Sequence, residues 1–182
     1  MRDLDDKVSK VLFNEPSGDW RYADPEKYRA DLLDQYKLYL EMADRISARR
    51  QAANSFFLAV NTGLVGFIGY LAAKSEDEFS WVIGIAGVTL SYGWHRLILS
   101  YQGLNTAKFK VIHAIEKRLP LSPYDAEWEY LGRGENYDLY KPFTNIELNV
   151  PWVFVILHSF VILRTMHWKA AWDCAFHLFG KS

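Results

Sequence analysis

Charged and apolar residues are separated along this chain into long blocks. One uncharged run covers residues 51–73, and a second covers residues 79–95 after a short acidic stretch. A third uncharged run covers residues 148–163. Runs of this kind match the hydrocarbon thickness of a bilayer, which a helix of about 20 apolar residues crosses. The pattern therefore predicts a membrane protein with a transmembrane helical hairpin and a third membrane helix.

Helix signals extend well beyond the first two runs. Asp24 and Pro25 predict a helix start, because Asp caps free N–H groups and Pro is tolerated at the first helical position. No Gly or Pro follows before Gly63. A single helix from residue 25 to residue 73 would therefore rise about 70 Å at 1.5 Å per residue and stand well out of the membrane. Beyond the second run, apolar residues at helical spacing predict a helix that reaches Leu119 and ends at Pro120.

Two more helix starts are predicted in the second half of the chain. Ser122 and Pro123, with an acidic residue three positions after the serine, are typical of a capped helix start. Thr144 and Glu147 form a capping-box pattern ahead of the third uncharged run. Pro151 lies within that run and should kink its helix, because it removes one backbone hydrogen bond.

The predicted fold class is all-α: an integral membrane protein in which a long transmembrane helical hairpin extends into a cytosolic helical bundle, with a third transmembrane helix. The regions are a cytosolic N-terminal arm with a long helix at 1–50, the transmembrane hairpin at 51–99, a cytosolic helical region at 100–147, the third membrane helix at 148–168 and an amphipathic C-terminal tail at 169–182. The two spans of the hairpin lie at about 51–73 and 79–99. The third run is short, so a re-entrant or interfacial helix is the alternative there.

Basic residues indicate how the hairpin is oriented. They flank it on one side, as Arg45, Arg49 and Arg50 ahead of the first run and Arg96, Lys108 and Lys110 behind the second. The loop between the spans has three acidic residues against Lys74 alone. The positive-inside rule then predicts a cytoplasmic N-terminus and middle region, with the acidic loop outside. With three spans the C-terminus is also outside, although a small basic excess in the tail opposes this last step.

Composition changes this picture little. Of the 182 residues 24% are charged, and the formal net charge of -1 gives no support for nucleic-acid binding. Cys174 is the single cysteine, which excludes an intrachain disulfide and a Cys-based metal site within one chain. His113 and Glu116 share a helix face, but a lone pair of this kind is more typical of a solvated or satisfied surface pair than of a metal site. We predict no cofactor and no metal.

Polar residues within the membrane runs are the candidate functional residues, because such residues are costly in lipid. The three that we single out are Asn61, His95 and His158. Under one hypothesis they line a pore or a proton path. Under the other they only form hydrogen bonds between helices, which contribute about 1 kcal/mol each.

A candidate oligomer face precedes the first run. Leu32, Tyr36, Tyr39, Ala43 and Ile46 recur at alternating steps of four and three residues, which is the spacing of a coiled-coil seam. Two interpretations are open for this seam. It either packs against another helix of the same chain or joins neighbouring subunits.

Glycines are dense within the first two runs. Gly63, Gly66 and Gly69 recur every three positions, and Gly84 and Gly87 have the same spacing. Small residues allow membrane helices to approach closely. The sequence leaves open whether they pack within the hairpin or between subunits.

Several segments together resemble a known family. They are ARRQAAN at 48–54, LNTAKF at 104–109, Leu119-Pro120 with Trp128, and the stretch 144–151. The pattern resembles the RipA family of octameric membrane proteins of bacteria, over most of residues 25–165. The resemblance implies a multi-pass homo-oligomer of the bacterial inner membrane, an octamer, without an assigned enzymatic activity. It supplies no catalytic residues.

The leading functional hypothesis is a self-assembling scaffold or interaction protein of the bacterial inner membrane, with a role in envelope or stress physiology. The alternative is a channel or pore-forming effector, for example in phage defence. The sequence has no Ser-His-Asp, phosphate-loop or dinucleotide-binding pattern, so we do not expect an enzyme. The expected partners are the lipid bilayer and further copies of the chain, with no nucleic acid.

Overall fold

The computed structural model describes residues 7–8, 10–13, 24–135 and 143–166. Within these residues the chain is predominantly helical and contains no strand, which confirms the predicted all-α class. The helices are α1 (Pro25–Ala73), α2 (Ser80–Glu116), the short α3 (Pro123–Tyr130) and α4 (Phe143–Thr165). Two short 3₁₀ turns lie at Asp77–Phe79 and Gly132–Gly134. The tail predicted at 169–182 lies outside the described residues.

Three of the helices are long and apolar enough to cross a membrane. They are α1, α2 and the segment Ile146–Thr165 of α4. The most apolar 18-residue stretches of these three have mean hydropathies of 1.7, 1.2 and 1.9, in that order. The segment of α4 has 20 residues, which matches the thickness of the hydrocarbon core. The prediction of three apolar helices of spanning length is confirmed.

The two ends of α1 are closed by its own local sequence. Asp24 Oδ1 accepts a hydrogen bond from the backbone N–H of Glu26 at 2.8 Å, so the predicted cap is present. At the other end Ser75 has a φ of 58°, and the N–H of Glu76 donates to the carbonyl of Leu71 at 3.0 Å. A residue in the left-handed conformation, followed by an N–H that bonds to the carbonyl five residues earlier, is the Schellman motif. This motif satisfies the last carbonyls of a helix. The acidic loop therefore begins as a defined helix end.

The end of α2 differs from the prediction. The helix stops at Glu116, three residues before the predicted Leu119. The following N–H groups form tighter bonds, from Arg118 to the carbonyl of Ile115 and from Leu119 to the carbonyl of Glu116, both at 2.9 Å. Such i to i−3 bonds are the usual way in which the last turn of a helix tightens before it ends.

The start of α3 is capped by a residue that the sequence pattern did not indicate. Pro123 occupies the first turn as predicted, but the Ser122 side chain forms no capping hydrogen bond. Instead the Glu116 carboxylate accepts the N–H groups of Tyr124 and Asp125, each at 3.1 Å. A negative charge at this place also complements the positive end of the helix dipole. Ser122 therefore occupies the predicted N-cap position, but a side chain from α2 provides the capping hydrogen bonds.

The start of α4 also differs from the prediction. The helix begins at Phe143, so Thr144 lies within the first turn and not at the predicted capping position. The Glu147 carboxylate accepts a hydrogen bond from Asn54 of α1 at 3.0 Å. The helix continues through Pro151, whose side chain is fully buried.

The chain divides into two compact units, which are described separately. Unit 1 comprises Met1–Gln51 and Leu99–Asn145, and unit 2 comprises Ala52–Ile98 and Ile146–Ser182. The core of unit 1 is formed by Leu32, Tyr36 and Ala43 of α1 with Ile112 and Ile115 of α2. Three residues of the predicted seam therefore pack within the chain.

A buried carboxylate organises the polar part of unit 1. Glu116 has no exposed surface, and it accepts the Tyr36 hydroxyl at 2.7 Å in addition to the two amides of α3. Burial raises the pKa of Tyr36, and the hydrogen bond to Glu116 raises it further. Because the buried acceptor has three donors, the link from α1 through α2 to α3 is satisfied within the unit.

Candidate functional site

The buried face of α2 in unit 2 follows a strict spacing. Its positions alternate in steps of four and three residues, the spacing of a packed helix seam. They are Ser80, Gly84, Gly87, Ser91, Trp94 and Ile98, all of them buried. The seam is therefore small at one end, polar in the middle and aromatic towards the other end.

A polar cluster, formed by Asn61, Ser91 and His158, lies on this seam. The Ser91 hydroxyl donates to Asn61 Oδ1 at 2.9 Å, and His158 Nε2 lies 3.2 Å from the same oxygen. The Asn61 amide group donates to the carbonyl of Phe57 at 2.9 Å. All three side chains have 0% exposure. One residue from each of α1, α2 and α4 thus meets at a single amide oxygen.

Glycine makes room for the histidine of this cluster. A Cβ atom built on Gly87 would overlap the ring of His158, and one on Gly84 would lie 2.7 Å from Cγ1 of Ile162. By contrast, a Cβ on Gly63, Gly66 or Gly69 meets no described residue within 4 Å. The two glycine groups that looked alike in sequence therefore differ, and among the described residues only the α2 pair has close contacts.

An aromatic layer adjoins the polar cluster. The Trp94 ring is stacked on Phe57 at 5.9 Å between centroids and contacts Phe154 at 6.2 Å. The indole N–H of Trp94 donates to Asn54 Oδ1 at 2.8 Å, and Asn54 in turn donates to Glu147 at 3.0 Å. This second chain of hydrogen bonds again joins α2, α1 and α4.

The third predicted polar residue, His95, lies apart from the cluster. Its ring packs edge to face with the ring of Trp152, with 5.4 Å between the ring centroids. Its Nδ1 atom is buried and has no hydrogen-bond partner within the described part of the chain. The structure therefore brings together Asn61 and His158 of the predicted set, but not His95.

The chemistry open to the cluster follows from its donors and acceptors. Ser91 donates to an amide oxygen, which is a very weak base, so its hydroxyl is not activated as a nucleophile. Among the described residues no group of three His, Cys, Asp or Glu side chains could hold a metal ion. The arrangement pairs the buried polar groups of Asn61 and Ser91, and Nε2 of His158, at the junction of three apolar helices.

The predicted oligomer face lies largely in the core of unit 1. Leu32, Tyr36 and Ala43 are buried there, whereas Tyr39 and Ile46 are half-buried. Tyr39 packs at the edge of this core, and the Lys108 ammonium lies over its ring at 4.8 Å from the centroid. Four of the five seam residues, Leu32, Tyr36, Tyr39 and Ala43, thus pack within one chain.

Sequence reasoning missed the roles of Asn54, Glu147 and Glu116. For the first two, a signal was present in the spacing. Asn54 precedes Asn61 by seven residues, and Glu147, Pro151, Phe154 and His158 follow steps of four, three and four. Seven-residue spacing places residues on the same helix face. For Glu116 no signal was present, because its partners depend on how three helices meet.

The outer surfaces of the apolar helices have few partners among the described residues. In the most apolar 18-residue stretches of α1, α2 and α4, only 11%, 28% and 11% of the residues are buried. Large side chains exposed on these helices include Phe56, Phe67, Ile85, Ile156 and Phe160. Exposed apolar surface of this extent indicates contact with lipid or with another protein surface. Together with the polar side chains paired inside, it defines the chain as a helical membrane protein.

The comparison with protein families is consistent with this class. The description of the octameric membrane protein family (8xMP) matches residues 33–167. The match covers well over half of the chain, and the chain belongs to this family. The resemblance to octameric membrane proteins is thereby confirmed. Comparison with curated proteins gives no match, and comparison with solved structures gives none.

Proposed function

We propose that this chain is a self-assembling scaffold of the bacterial inner membrane, whose working form contains eight copies. The membership in an octameric family supports the copy number. The role is to hold partners or membrane regions in place during envelope or stress physiology, and the protein is not an enzyme.

The observation that carries the proposal is a contrast between the inside and the outside of unit 2. Inside, Asn54, Asn61, Ser91, Glu147 and His158 are hydrogen-bonded within one chain. Outside, the same helices present large apolar side chains. A surface of this kind suits lipid and neighbouring copies, since dispersion and close packing drive helix association in a bilayer.

The polar residues that could have lined a pore do not favour a channel. Asn61 and His158 have 0% exposure and face each other at the junction of three helices of one chain. A pore formed by a ring of copies needs polar side chains on a surface that faces the axis of the ring. The channel alternative therefore has no support from these residues.

The orientation that we propose places the N-terminus and the middle region in the cytoplasm. Arg45, Arg49 and Arg50 precede the first apolar segment, and the loop after it is acidic with Glu76 and Glu78 exposed. The positive-inside rule supports this assignment.

Light scattering of the full chain in mild detergent, combined with an ion-flux assay in liposomes, tests the proposal. We expect a particle with eight times the 21.2 kDa of one chain and no ion flux above that of empty liposomes. A monomer would contradict self-assembly. Ion flux that disappears when Asn61 and His158 are replaced by Leu would contradict the scaffold role and favour the channel.

A further inference from the structure

The hydrogen bonds of the polar cluster determine which nitrogen of His158 carries its proton. The Asn61 amide group donates to the carbonyl of Phe57, so its oxygen must face Ser91 and His158. An amide oxygen only accepts hydrogen bonds. Nε2 of His158, which lies 3.2 Å from that oxygen, therefore carries the proton, and Nδ1 is left with a bare lone pair.

That second nitrogen is buried without a donor. Nδ1 of His158 has no hydrogen-bond partner within the described part of the chain, and the residue has 0% exposure. The ring cannot turn easily towards a donor, because Gly87 lies directly against it and the ring of Phe154 is stacked on it, with 6.5 Å between the ring centroids. A buried basic nitrogen with a bare lone pair can bind a proton, which needs no cavity.

No described charge in unit 2 faces the ring to balance that proton. The titratable or charged side chains of the three packed helix segments are Tyr70, Tyr92, His95, Arg96, Glu147 and Arg164. Tyr70, Tyr92, Arg96 and Arg164 are exposed. His95 lies against Trp152, and Glu147 accepts its bond from Asn54. A protonated His158 would thus be a buried cation without a counter-ion, with a new N–H and no acceptor.

We propose that His158 is a proton-binding site that holds α4 against α1 and α2 while neutral and releases α4 when protonated. An isolated charge in an apolar interior is far less favourable than the same charge in water or among lipid headgroups. The packed arrangement is therefore compatible only with the neutral ring. The residue is the single point at which α4 joins the polar cluster, so its charge acts directly on the position of that helix.

The first test needs no substitution in the cluster. Nitrogen NMR of the full chain in bilayers, with labelled histidine rings, reports which ring nitrogen carries the proton. The His158 signal is assigned from its absence in His158→Gln. At about pH 8, where histidines are ordinarily neutral, we expect Nε2 to be protonated and Nδ1 to be bare. A protonated Nδ1 in the neutral ring would overturn the proposal.

The second test measures the position of α4. Spin labels are attached to cysteines introduced at Val82 of α2 and Phe160 of α4, both of them exposed, in a Cys174→Ser background. On acidification from about pH 8 to about pH 5, the range over which histidine ordinarily titrates, we expect the distance between the labels to lengthen. The shift should disappear in His158→Gln and persist in the control His113→Gln, which changes a histidine of unit 1.

An unchanged distance in the wild-type chain overturns the proposal, and so does a shift that persists in His158→Gln. If His158→Gln already shows the long distance at neutral pH, this variant cannot serve as a control, and the test then rests on the wild-type chain. The titration of the His158 ring and the change in distance must then share one midpoint. Two separate midpoints would show that the ring does not control α4.

Discussion

At the scale of single residues, Gly87 sets how closely α2 approaches α4. The ring of His158 occupies the space that any side chain at position 87 would need. Gly93 lies on the same helix, and a Cβ built there meets nothing within 4 Å in the part of the chain that the structure describes. The two glycines therefore separate an effect of packing from an effect of helix propensity.

We expect Gly87→Ala to lower the free energy of unfolding by about 1–3 kcal/mol, the usual cost of overpacking a filled interior. Gly93→Ala should leave the stability unchanged or raise it by up to about 1 kcal/mol, because Ala is the better helix former. Thermal unfolding of the two variants in detergent provides the measurement. Equal stabilities for the two variants would contradict the contact between Gly87 and His158.

Tyr36 offers a second test at this scale. Removal of its hydroxyl in Tyr36→Phe leaves the buried Glu116 with one donor fewer. We expect a loss of about 1–3 kcal/mol in the free energy of unfolding. Tyr130→Phe is the control, since Tyr130 is 87% exposed and should tolerate the change.

We also expect the difference in stability between the wild-type chain and Tyr36→Phe to depend on pH. The folded chain raises the pKa of Tyr36 above its ordinary value of 10.0, so the neutral phenol is favoured in the folded state. The stabilisation is fully present below pH 10.0 and is lost as the pH rises further. The difference in stability between the wild-type chain and Tyr36→Phe should therefore narrow in alkaline solution. Parallel stability curves would contradict this.

At the scale of helices, local sequence determined where α1 and α3 begin, but not which side chain caps α3. The cap at Asp24 and the proline at Pro123 act within a few residues, and both were predictable. The cap of α3 was not, because Glu116 reaches it from the preceding helix. Ser122 had the right residue type at the right spacing, yet the two side-chain oxygens of Glu116 from α2 accept the N–H groups in its place. Tertiary contacts of this kind override a local signal.

The two possible caps of α3 can be separated by substitution. Glu116→Ala removes the observed cap, whereas Ser122→Ala removes the one that the sequence indicated. Loss of a cap costs about 1 kcal/mol, which corresponds to roughly a fivefold increase in the opening of the helix. Hydrogen exchange of the α3 amides should accelerate in Glu116→Ala, which also loses the bond to Tyr36, and change little in Ser122→Ala. The reverse order would contradict the assignment of the cap.

At the scale of the whole molecule, the alternation of charged and uncharged blocks was sufficient to predict three apolar helices. It could not show which polar residues meet, because Asn61 and His158 are 97 residues apart in sequence. It also could not decide between packing within a chain and packing between chains. The seam at Leu32, Tyr36 and Ala43 has coiled-coil spacing in either case, and only the positions of Ile112 and Ile115 show what it contacts.

The proposed topology makes a prediction at this scale. In a Cys174→Ser background, a cysteine at exposed Glu76 should react with a membrane-impermeant maleimide in intact spheroplasts. A cysteine at Lys110 should react only after lysis, because the middle region is cytoplasmic under the positive-inside rule. Labelling of Lys110→Cys in intact spheroplasts together with protection of Glu76→Cys would invert the topology.

The apolar helices bury little of their own surface within the described part of the chain, which favours assembly with further copies. Native mass spectrometry of the wild-type chain released from lipid nanodiscs counts the copies directly, without a prior extraction into detergent. We expect a dominant species of eight chains, each of 21.2 kDa. A dominant species of one chain would contradict self-assembly, and a different dominant number of chains would contradict the octamer.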